Sequence, residues 1–152
     1  MDERSLVCIN EGVYSKHLTY GKLYAVVKND LEKRQVYIKG NTGKSVWIPS
    51  YCFEDPKHAR IAVVTEMSVD DEITDQSHGF VEVTFTMEDD ERRWCKFCTP
   101  SYLSLILGSN DYFVDCSTIF VASLTRAGFE EAVDELTRNG CFFEVTRRLG
   151  DD

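Results

Sequence analysis

The chain contains no apolar run approaching the roughly 18 residues of a membrane span, and its start, Met1-Asp2-Glu3-Arg4, has neither the basic nor the apolar region of a secretion signal. A cytoplasmic protein with no membrane association is therefore expected. Proline is scarce, with 3 in 152 residues, and glycine reaches only 9, so disorder is expected at the ends alone. Histidine is equally scarce: His17, His58 and His78 sit in polar or loop settings, and none neighbours a serine or cysteine in a nucleophile motif. A phosphate loop and a dinucleotide fingerprint are both missing. Between Glu66 and Glu91 there is no lysine or arginine at all.

That last gap marks what is present. The formal charge is −9, and it is unevenly held. Residues 1–55 carry eight Lys/Arg against seven Asp/Glu, a net of +1, and residues 56–152 carry nine against nineteen, a net of −10. Ten acids fall between Glu66 and Glu91, among them Asp70, Asp71, Glu72, Asp75, Glu88, Asp89, Asp90 and Glu91. Such a field repels nucleic acid and membrane surfaces and attracts a basic partner. These eight residues are the candidate partner-binding face. They lack the alternating ligands and central glycine of a calcium loop, so no metal is expected there.

Six cysteines (Cys8, Cys52, Cys95, Cys98, Cys116, Cys141) would suggest a disulfide framework in a secreted chain. Here most lie in apolar strand-like runs, where a free thiol behaves as a small hydrophobe. Cys95-Lys96-Phe97-Cys98 is the one local motif with redox or metal potential. A redox pair needs its first thiol at a helix N-terminus, and Cys95 falls inside a strand instead. A zinc site would need a second pair at ligand spacing. No enzyme chemistry and no cofactor are expected.

The first 55 residues read as closely spaced strands: Ser5–Glu11, Lys22–Asn29, Arg34–Lys39 and Ser45–Pro49, with Asn41-Thr42-Gly43 as a hairpin turn and Pro49–Phe53 as a short closing turn. The spacing implies a small barrel or meander. Its aromatics are interleaved with lysines, which makes Tyr20, Tyr37, Lys44 and Trp47 a possible ligand face, of the kind that stacks bases. Asp55-Pro56 is the expected domain boundary. After it come Ala59–Thr65, an acidic loop around Ser68–His78, and strands Gly79–Met87 and Arg93–Cys98 joined at the tip Glu88–Arg92. Thr99-Pro100 signals a helix start capped by threonine, running through Tyr102, Leu103, Ile106 and Leu107 to Gly108. Thr118–Ser123 reads as a strand. Thr125 caps a second helix whose Phe129, Ala132, Val133 and Leu136 fall at i, i+3, i+4 and i+7. Asn139-Gly140 ends it, and Cys141–Thr146 reads as a last strand.

Two resemblances attach to these pieces. Leu6-Val7-Cys8-Ile9-Asn10, Leu18-Thr19-Tyr20-Gly21-Lys22-Leu23-Tyr24-Ala25-Val26 and Trp47-Ile48-Pro49-Ser50 with Phe53 resemble a family of SH3-like barrels of bacterial and phage proteins. From residue 59 onward, Gly79-Phe80-Val81-Glu82-Val83, Cys98-Thr99-Pro100-Ser101-Tyr102-Leu103 and Ile119-Phe120-Val121 resemble the immunity protein family numbered eight in polymorphic toxin systems. Tyr102 stands where that family has tryptophan, and Cys141–Leu149 lacks its closing aromatic-acidic pattern. The resemblance implies a protein that binds and blocks a toxin through an acidic face, without catalysis. The combined expectation is an α+β chain: an SH3-like β module over 1–55, then an acidic antiparallel sheet with two helices over 56–152, inhibiting a basic protein partner. An adaptor that binds nucleic acid or a host or defence protein through the first module is the alternative.

Overall fold

A computed structural model describes residues 4–150; Met1–Glu3, part of the start read above, lie outside the described residues. The chain is α+β and forms two compact units. One runs up to Ile61 and takes in Glu135–Gly140; the other is Ala62–Asp134 together with the residues from Cys141 onward.

The first unit holds strands β1 (Ser5–Cys8), β2 (Leu23–Asp30), β3 (Gln35–Lys39), β4 (Ser45–Pro49) and β5 (Phe53–Glu54). Their order is β4-β3-β2-β1-β5, and every neighbouring pair is antiparallel. Alternation dictates the packing. Val36 and Ile38 of β3 and Ile48 of β4 point inward beside Leu6, Cys8, Leu18, Tyr24 and Phe53, while Tyr37 and Trp47 face the other way. The Tyr24 hydroxyl accepts from the Thr19 amide and donates to the Asn41 side-chain oxygen, tying the β3–β4 turn to the segment before β2. Gly43 in that turn has φ +79, as the Asn-Thr-Gly signal requires. The ladder is open: β4 and β5 are its two ends, so hydrogen bonding does not close the small barrel expected from the strand spacing. A two-residue β5, entered from the 3-10 turn Ser50–Cys52, extends the β1 edge only. Gly140 also belongs to this unit, with φ +71 and the Ile9 carbonyl oxygen 2.7 Å from where a Cβ would stand; no other residue fits there without strain.

The second unit holds β6 (Val64–Val69), β7 (Phe80–Met87), β8 (Arg92–Cys98), helix α1 (Pro100–Ser109), β9 (Thr118–Phe120), helix α2 (Arg126–Arg138, of which the first nine residues belong here), helix α3 (Phe142–Val145) and β10 (Arg147–Arg148). The sheet order is β10-β8-β7-β6, and β9 shares the outer edge of β8 with β10, pairing Lys96–Cys98 while β10 pairs Arg93 and Trp94. One face is apolar: Val81, Val83 and Phe85 of β7 stand opposite Phe97, Cys95 and Arg93 of β8, and Met67 of β6 stands opposite Phe85. Phe97 stacks on Phe129 of α2 at 4.4 Å, and Phe142 of α3 meets Phe85 edge-on at 5.7 Å.

Several expectations change here. The strand placed at Ala59–Thr65 is Val64–Val69, because the residues that alternate against β7 start at Val64; the apolar run Ile61–Val64 only resembled a strand. The sheet is not purely antiparallel, since β9 runs parallel to β8. Cys141–Thr146 is not a strand but the turn of helix α3, closed by the Thr146 hydroxyl donating to the Phe142 carbonyl, so three helices replace two. Thr125 does cap α2, its hydroxyl accepting from the Gly128 amide at 3.1 Å. Thr99 does not cap α1: its hydroxyl accepts from the Gly79 amide at 3.0 Å, locking the start of β7 to the end of β8.

Candidate functional site

The ten acids do not form one face. Asp70, Asp71, Glu72 and Asp75 lie in the β6–β7 loop, and Glu88, Asp89, Asp90 and Glu91 form the β7–β8 tip, so the two groups occupy opposite ends of β7. An eight-residue strand separates them by about 25 Å. Several carboxylates also organise the backbone that carries them. Asp70 accepts from the Thr84 hydroxyl at 2.6 Å, Asp71 from the Glu82 amide at 2.8 Å, and Asp89 from the Glu91 amide at 3.1 Å. The hydroxyl and amide of Ser77 donate to Asp75 and hold its carboxyl below the usual range. Glu91 turns inward: its side chain is 9% exposed and pairs with Arg93 at 2.6 Å. The carboxylates of Glu72, Glu88 and Asp90 meet no hydrogen bond or ion pair among the described residues and stand exposed. Asp90 has φ +65, a conformation that aspartate tolerates better than most residues.

The β6–β7 loop is fixed to α1. The Ser101 hydroxyl donates to the Ser77 carbonyl at 3.1 Å and meets His78 Nδ1 at 2.9 Å, and the His78 ring meets Tyr102 edge-on at 5.5 Å. Helix α1 itself has no buried residue, although Tyr102, Leu103, Leu105, Ile106 and Leu107 make it apolar on every side. The sequence reading ran this helix through Tyr102, Leu103, Ile106 and Leu107 and overlooked Leu105; all-round apolarity normally marks a buried helix. The segment after α1 is anchored by Lys96, which pairs with Asp115 at 3.0 Å and lies over the rings of Phe80 and Trp94. Burial opposes the charge on Asp115, but the Ser117 amide and Lys96 outweigh it, leaving that carboxyl below its usual range.

In the first unit the candidate ligand face is only partly assembled. Tyr37 and Trp47 stand opposite each other on β3 and β4 with ring centroids 5.0 Å apart, and Lys28 lies over the Tyr37 ring. Lys44 is exposed in the adjoining turn. Tyr20 belongs to the segment before β2, where its amide donates to the Glu11 carboxylate.

Four buried thiols are held protonated. Burial pushes Cys95 up to about 12 and Cys8 and Cys52 up to about 11, and it raises Cys98 as well. At pH 8 a thiol of pKa near 12 is thiolate in only about one molecule in ten thousand. Iodoacetamide at that pH is expected to alkylate exposed Cys116 and leave Cys8, Cys52 and Cys95 unmodified until urea unfolds the chain, as followed by mass spectrometry. Rapid modification of Cys95 in the native protein, or a Cys95–Cys98 disulfide formed in a glutathione couple, would contradict the assignment.

No family model, curated protein or solved structure matches the chain. No helix among the described residues is long and apolar enough to cross a membrane.

Proposed function

We propose that this is a non-catalytic, cytoplasmic binding protein whose second unit docks on and inhibits a basic protein, in the manner of an immunity protein that neutralises a toxin or effector. The observation that carries the reading is the stretch from Glu66 to Glu91, ten acids without one Lys or Arg, ending in carboxylates that stand exposed and unpaired at Glu72, Glu88 and Asp90. Unpaired exposed charge adds nothing to folding and disfavours self-association, but it accelerates encounter with an opposite charge. In this reading the first unit is an SH3-like module that holds a further ligand.

The test is capture. Immobilised full-length protein, exposed to lysate of its source cells, is expected to retain a basic protein, to release it as salt rises, and to suppress that protein's activity at a one-to-one ratio. A specific observation favours one other reading: the Tyr37–Trp47 pair with Lys28 over it offers a stacking platform beside a cation. Salt-sensitive retention of nucleic acid, lost in Trp47→Ala, with no protein retained, would favour that reading and overturn the first.

A further inference from the structure

We infer that helix α1 and the segment after it form the apolar centre of the docking surface, and that its occupant is a basic amphipathic helix of the partner protein. The inference deepens the proposed function and rests on it.

Within the second unit, five of the seven large apolar side chains that stand exposed among the described residues fall within sixteen consecutive positions (105 through 120): Leu105 is 59% exposed, Leu107 44%, Tyr112 76%, Val114 80% and Phe120 49%. A soluble chain rarely leaves this much clustered apolar side chain uncovered unless something covers it. The cluster is also held in place. Asp115 is tied to Lys96 on β8, Phe113 meets Phe120 edge-on at 6.4 Å, and Ser101 and Tyr102 are fixed against Ser77 and His78.

Charge decides what covers it. Residues 99–125 contain Asp111 and Asp115 and no Lys or Arg. The loop bonded to the N-terminal turn of α1 carries Asp71, Glu72 and Asp75, again with no cation. Lys96 is taken up by Asp115 and Arg147 is bonded to Ser117, so the charges left over beside the apolar centre are Asp111 and the acids of the loop, which suit a helix with an apolar stripe flanked by lysine or arginine. A second copy of the chain would bring acid against acid, with −9 on each side. An anionic bilayer would be repelled in the same way.

The probe is a synthetic amphipathic helix of leucine and lysine, titrated into isotope-labelled full-length protein and followed by amide chemical shifts, with a leucine–glutamate helix as control. Shifts are expected in residues 103–120 and in the 70–78 loop. Leu105→Asp and Leu107→Asp, both at exposed positions, are each expected to weaken binding by about tenfold at any salt. Glu72→Gln should weaken it at low salt only. Shifts confined to the acidic loop, or unaltered affinity in both leucine variants, would overturn this inference and leave the acidic reading standing. Tighter binding of the leucine–glutamate helix, or no binding of either, would overturn both. Concentration-dependent dimerisation abolished by Leu105→Asp would make a second copy the occupant and overturn the inference as well.

Discussion

Arg93→Ala is expected to cost about 3–5 kcal/mol of stability, the range for removing one partner of a buried ion pair. Arg93 lies on the buried face of β8 opposite Phe85, and all three nitrogens of its guanidinium are bonded. Nη1 pairs with Glu91, Nε donates to the Thr146 hydroxyl at 2.8 Å, and Nη2 donates to the Thr146 carbonyl at 2.7 Å and the Phe143 carbonyl at 3.2 Å. The same group lies over the Phe143 ring. It therefore clamps α3 and β10 to β8 across some fifty residues of sequence. Alanine would take from the inward-turned Glu91 carboxylate its cation at 2.6 Å, with Arg148 farther off at 3.7 Å, and would remove the donors to Thr146. Urea unfolding followed by fluorescence of the adjacent Trp94 measures the loss. Glu91→Leu combined with Arg93→Met should lose much less than Arg93→Ala, since both charges then leave together. A loss below about 1 kcal/mol for Arg93→Ala would show that the clamp contributes little.

The second large effect is expected at Phe97→Ala. Phe97 and Phe129 are fully buried and stacked at 4.4 Å, the main aromatic contact between this sheet and α2. Truncating a buried phenylalanine removes its transfer energy and leaves a cavity, together about 3–5 kcal/mol. Phe129→Ala should cost a similar amount, and the double variant should cost less than the sum because both lose the same contact. Strict additivity would mean that the two rings do not act as a pair.

These two side chains mark where the sequence was legible and where it was not. Phe129 was readable, because Phe129, Ala132, Val133 and Leu136 repeat at helical spacing, and so was the strand Arg93–Cys98 that carries Phe97. Arg93 was not. In Arg92-Arg93 nothing local shows which guanidinium points inward; the register with β7 decides it, and its partner Thr146 is distant in sequence. The meander of the first unit was legible from its turns, but the open ladder depends on a two-residue β5 whose pairing is non-local. Cys141–Thr146 has the apolar character of a strand and becomes helix α3 because Phe142 is buried beside Phe85. The candidate site was legible as a charge and not as a shape. Counting acids from Glu66 to Glu91 cannot reveal that β7 separates them into two ends, or that Glu91 is consumed inside the fold.

The most direct measurement of the central claim is the association rate of the captured partner as a function of salt, for the wild type, Glu72→Gln and the pair Glu88→Gln/Asp90→Asn. These carboxylates are exposed and make no structural bonds among the described residues, so their neutralisation leaves the fold intact. Association is predicted to slow steeply with salt in the wild type. Glu72→Gln, at the end of β7 fixed to α1, should slow it about two- to threefold at low salt, an effect that fades as the Debye length falls toward about 3 Å near 1 M. The Glu88/Asp90 pair, at the far end, should matter less. Association rates that are flat in salt and equal among the three proteins would contradict docking through an acidic surface.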